Sequence, residues 1–125
     1  MSLVSILESD TKLHIELLNA ISAQGDDPTV ARNLEFMMGA NSKKDIEKAA
    51  CFIQDNRFGE TTLFECEGRH MLMVYVEMPL HLNAVLSVAG FMRCVCDLFN
   101  VEHEEWATDV QGPTSINWDK VPRNC

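Results

Sequence analysis

At 125 residues the chain is about one domain long, enough to bury roughly two thirds of its unfolded surface in a single core. Ten Lys and Arg against nineteen Asp and Glu leave a net charge of −9, which repels nucleic-acid phosphates and anionic lipid and attracts a basic partner. Five cysteines without a CxxC, an odd number, argue against a disulfide framework and for a reducing, cytoplasmic compartment. Glu8, Asp10 and Lys12 interrupt the first apolar run as a signal core, and no apolar segment reaches the roughly 20 residues of a membrane span, so a soluble protein is expected.

Residues 3 to 24 place Leu3, Ile6, Leu7, Leu13, Leu17, Leu18 and Ile21 at mostly helical spacing, which predicts an amphipathic first helix. Gln24-Gly25-Asp26-Asp27-Pro28 ends it. Val30 to Gly39 alternates as a strand, with Leu34, Phe36 and Met38 on one face and Asn33, Glu35 and Met37 on the other. Ser42, followed three residues later by Asp45, caps a second helix from 43 to about 55. Thr61 to Cys66 is a strand of open register, since Thr62, Phe64 and Cys66 compete with Leu63 for the buried side, and Gly68-Arg69 turns it into the next strand.

That strand, His70 to Met78, is the most apolar in the chain. Leu72, Val74, Val76 and Met78 fall on one face and Met71, Met73, Tyr75 and Glu77 on the other. Pro79 ends it, and Asn83 is the expected N-cap of a very apolar helix to about Phe99. Its polar stripe is narrow, Ser87, Gly90, Arg93, Asp97 and Asn100, so the helix needs a second cover besides the sheet: the N-terminal helix or another copy of the chain. Val101 to Asp109 alternates as a last strand, and Gln111-Gly112-Pro113 opens an extended tail.

After an N-terminal helix (1–24), the order over 25–110 is β-α-β-β-α-β. This predicts an α+β, ferredoxin-like split β-α-β domain: an antiparallel sheet with helices on one face and the other face open, followed by the tail 111–125. On the open face fall Glu35 and Met37, then Met73, Tyr75 and Glu77, and in one register of the last strand Glu102, Glu104 and Trp106. Soft apolar area and aromatics ringed by carboxylates suit an Arg-rich peptide. Cover by the first helix or a second subunit is the alternative.

His70, His81 and His103 lie near strand ends, but Glu102 and Glu104 point away from His103 and no HxH or HxxxH spacing is present, so no metal or cofactor is expected. Cys94 and Cys96 point apart on their helix and are expected in the core. No phosphate loop, Ser-His-Asp order or paired-carboxylate motif supports catalysis.

Gly25-Asp26-Asp27-Pro28, Glu47-Lys48-Ala49-Ala50, Leu82-Asn83-Ala84, Phe99-Asn100-Val101-Glu102 and Trp106-Ala107-Thr108, in that order over about residues 25 to 109, resemble the RraB family, regulators of ribonuclease E. The resemblance implies a non-catalytic ferredoxin-like domain that binds the endoribonuclease outside its catalytic part and reduces transcript cleavage. Some members carry a long acidic tail, whereas this chain ends in mixed charge; Glu104-Glu105 and Ala107 stand where some carry Asp-Gly and Gly, which implies a less bent last strand. A basic segment of a ribonuclease E-like enzyme is thus the expected partner, a homodimer an open possibility, and a small-ligand sensing module the competing reading.

Overall fold

The structure is a computed structural model and describes residues 2–104, 106–109 and 111. The chain runs α1 (Leu3–Ala23), β1 (Arg32–Ala40), α2 (Lys43–Asp55), β2 (Glu60–Cys66), β3 (Arg69–Met78), α3 (Leu82–Phe99) and β4 (Glu102–His103). The four strands form one antiparallel sheet in the order β2-β3-β1-β4. Leu34, Phe36 and Met38 of β1 and Leu72 and Val74 of β3 are fully buried in one core with Ile46, Ala49 and Ile53 of α2 and Val85, Ala89 and Met92 of α3. The period-two reading of β1 and β3 therefore holds, and α2 lies within the expected bounds, capped by the Ser42 hydroxyl accepting from the Asp45 N–H.

Several local expectations change. α3 begins at Leu82 with His81 as N-cap residue and no side-chain cap; Asn83 lies inside the helix, where its carbonyl accepts from the Ser87 hydroxyl. The β2–β3 turn is Glu67-Gly68, both at positive φ, one residue earlier than expected, so that Cys66 faces Arg69. α3, with 18 residues and a mean hydropathy of 1.5, is long and apolar enough by composition to cross a membrane, contrary to the expectation; here it packs on the sheet and α1. Cys51, Cys94 and Cys96 carry free thiols, with Cys94 exposed rather than in the core, whereas Cys66 is disulfide-bonded.

α1 packs against α3 on the helix side of the sheet. Its covered stripe is Leu3, Ile6, Leu7, Asp10, His14, Leu17, Leu18 and Ile21; Asp10 and His14 sit in the middle, and Leu13 is half exposed. The reason lies in α3. Arg93, expected on a solvated stripe, turns to α1, where its Nε and Nη2 donate to the Asp10 carboxylate at 2.6 and 3.1 Å. Leu7 approaches Gly90 beside it. A partly buried guanidinium needs a charged partner, so the helix pair is keyed by an ion pair within an otherwise apolar seam. The tail expected beyond Gln111 lies outside the described residues.

Candidate partner-binding face

Ladder register, rather than any single residue, assembles the face opposite the helices. Tyr75 on β3 stands between Glu35 on β1 and Glu60 on β2; Met73 stands between Met37 and Thr62; Glu77 faces Asn33. Among the described residues no helix packs on this side. Met71 and Met73 are nevertheless buried, while Met37, Tyr75 and Glu35 are intermediate and Glu77 and Glu60 exposed. Thioethers closed in by their cross-strand neighbours make the floor, and a half-buried phenol among carboxylates makes the accessible part. Glu60 had no place in the sequence reading, which began the strand at Thr61 and left its register open; β2 starts one residue earlier, and the pairing of Glu60 with Tyr75 supplies the third carboxylate.

At the opposite end of the sheet the acids have a partner in the chain. Arg69 lies across β1, with Nη2 at 3.0 Å from Glu102 Oε2 and Nη1 at 3.4 Å from Glu104 Oε1. Gly39 makes this possible: a Cβ there would stand 2.9 Å from Arg69 Nη2 and 3.0 Å from Met71 Sδ. These pairs are solvent-exposed and contribute about 0–1 kcal/mol each, but they halve the local charge available to a cationic partner. Glu102 and Glu104 thus share the expected side of the sheet with the Tyr75 group, but Arg69 engages both of them.

Trp106 is not on that side. It is 2 % exposed, and its ring packs beside Phe36 of the core at 6.5 Å and His14 of α1 at 6.3 Å. Its Nε1 donates to His14 Nδ1 at 2.8 Å. The cause is a register change. Met38 faces His103 and Gly39 faces Glu102, yet Glu35 faces Ala107, one residue further along than that ladder requires. The last segment carries one residue more than β1 opposite it, as in a β-bulge, and a one-residue slip moves every later side chain to the other face. The last strand is thereby more interrupted than expected, two ladder residues and then an isolated bridge, rather than straight from Val101 to Asp109.

The same slip gathers polar groups behind β4. His103, on the helix side, is pushed down to about 4, first by burial and then by Arg93 and His14, with Asp10 opposing; its Nε2 has no hydrogen-bond partner among the described residues. Burial likewise pushes the Cys96 thiol up to about 12, lessened by Arg93. An acidified histidine and an un-ionised thiol in a closed interior are poor acid-base or nucleophilic groups. Among the described residues no three His, Cys, Asp or Glu side chains cluster as metal ligands. His70 lies 3.5 Å from Glu65, on the β2–β3 hairpin.

The accessible end of the face opens into a cleft of about 750 Å³ between the α2–β2 loop and the ends of β1 and β3, lined by Asn33, Arg57, Phe58, Glu60, Tyr75 and Glu77 among others. Gly59 brings the loop onto β3; a Cβ there would meet Val74 Cγ1 at 2.8 Å and the Tyr75 carbonyl at 3.0 Å. Phe58 anchors it, stacked near Phe91 and Phe52 with its N–H donating to the Ile53 carbonyl.

The short stretches quoted above for their resemblance turn out to build the frame around this face. Asp26 accepts from the buried Arg32 guanidinium and from the Gln111 N–H, which ties the exit of α1 to the segment that follows β4. Asp27 takes up the Thr29 hydroxyl and N–H, which hold its carboxyl below the usual range. Ala49 and Ala50 let α2 lie close on the sheet, Asn100 closes α3 in the left-handed conformation, and Thr108 donates to the Asn33 carbonyl. No curated protein matches the chain. The family model described as regulator of ribonuclease activity B matches residues 12–108, from within α1 to Thr108. That span is well over half of the chain, and the protein accordingly belongs to the RraB family, regulators of ribonuclease activity.

Proposed function

We propose that the protein is a non-enzymatic cytoplasmic regulator that lays a basic segment of a ribonuclease E-like endoribonuclease along the sheet face bearing Met37, Met73, Tyr75 and Glu77 and so inhibits or modulates RNA cleavage. The strand order β2-β3-β1-β4 with both crossover helices on one side supports a ferredoxin-like arrangement whose other side is the recognition surface. The observation that carries the reading is Tyr75 set between Glu35 and Glu60 with Glu77 beyond it, in a chain of net charge −9. Stacking of a guanidinium on a tyrosine contributes about 0.5–2 kcal/mol, and carboxylates at hydrogen-bonding reach add direction.

The test is a titration of the purified protein with an Arg-rich fragment of the ribonuclease at about 50 and about 300 mM salt. Binding that weakens as salt rises supports the reading; absence of binding at both salts removes it. The corner cleft favours a second reading, a small-ligand sensing module, because it is concave and carries convergent polar groups. Thermal stabilisation by a metabolite with no response to the basic fragment would put that reading first.

A further inference from the structure

The two ends of the recognition face differ in what they offer a cation, and this difference locates the anchor point. At the β4 end Glu102 and Glu104 are engaged by Arg69, and Trp106 is turned into the core. At the β2 end Glu60 and Glu77 are exposed, flank Tyr75 by register, and line a cleft to which Phe58 also contributes. The cleft wall is built in advance, since Gly59 and the hydrogen bonds of residues 56–58 to α2 hold the loop on β3.

We infer that this cleft seats one arginine side chain of the partner's basic segment, with the guanidinium against Tyr75 between Glu60 and Glu77 and the aliphatic stem on Phe58. The inference rests on the proposal above that the partner segment is basic. A long side chain with a planar cationic head fits the chemistry at hand: carboxylates that accept in parallel, a phenol face for stacking, and an exposed aromatic for the methylenes. Arg57 contributes a like charge to the lining, and Asn33 and Gln54 contribute neutral dipoles, so the carboxylates keep the excess. The rest of the segment then runs over Met37 and Met73 toward the β4 edge, where Arg69 lowers the return for a second cation.

The experiment uses the full chain and a fluorescent peptide with several arginines, read by anisotropy, beside the same peptide with citrulline in place of arginine. Glu60→Gln with Glu77→Gln is expected to raise the dissociation constant at least tenfold, and Glu102→Gln with Glu104→Gln less than twofold. Both pairs change exposed side chains, so folding is preserved; Tyr75→Leu keeps the apolar volume while removing the phenol and should also weaken binding. If the wild-type chain binds the arginine peptide but the corner pair does not weaken it, or both pairs weaken it equally, the cleft assignment is overturned while the basic-partner proposal stands. Failure of the wild-type chain to bind overturns both. Equal binding of the citrulline peptide also overturns the assignment, because charge would then play no part.

Discussion

Trp106 shows how one side chain changes meaning with register. On an uninterrupted last strand it would flank Glu104 and stack on a partner; with one extra residue before Ala107 it fills the space between Phe36 and His14 and binds α1 through its indole N–H. Its role is therefore structural. Trp106→Ala should lower stability by about 3–5 kcal/mol, the range for truncating a large buried aromatic, seen as an earlier urea midpoint. The fraction that remains folded should bind the arginine peptide like wild type. A variant of normal stability with lost binding would return Trp106 to the partner surface. Tyr75, by contrast, is intermediate in exposure on the face opposite the helices, so its truncation should act on binding before stability.

At the scale of elements, α1 decides whether α3 is finished. α3 is apolar over most of its circumference, with Leu82 and Leu98 still exposed, and α1 covers the Gly90–Arg93 side through Leu7, Asp10 and their neighbours. Removing residues 1–22 would strip Arg93 of Asp10 and Trp106 of its acceptor, and open the seam to water. The truncated chain should self-associate, seen as a dimer or larger species in sedimentation, whereas an unchanged monomer would show the seam to be satisfied without α1. Element type and order were legible beforehand because period-two and period-3.6 patterns, a Ser cap and Gly-Pro punctuation are local signals. Two features were not. Asp10 and His14 occupy an apolar stripe because of partners 83 and 92 residues away, and the extra residue before Ala107 has no local mark since any residue type tolerates it. The open face was half legible for the same reason: β1 and β3 declared their faces by alternation, while Glu60 joined Tyr75 only through the pairing of β2.

For the whole molecule, the charge of −9 acts before any contact forms. A field of that sign favours encounter with a cationic segment and opposes the approach of RNA phosphates. Under the proposed function the partner's basic segment also attracts RNA, and arginines that pair with Glu60 and Glu77 would not pair fully with phosphates at the same time. The protein should therefore displace labelled RNA from the isolated basic segment, lowering the anisotropy of the RNA toward its free value as protein is added. Because each competitor works by neutralising the same cations, salt weakens both arms, so displacement is to be compared between variants at one fixed ionic strength. The corner pair Glu60→Gln and Glu77→Gln should need roughly tenfold more protein for the same displacement, in line with a loss of about 1.4 kcal/mol. A rise in anisotropy on adding protein would mean that RNA and protein occupy the segment together, and regulation would then have to act on the enzyme's shape rather than on access to its basic segment.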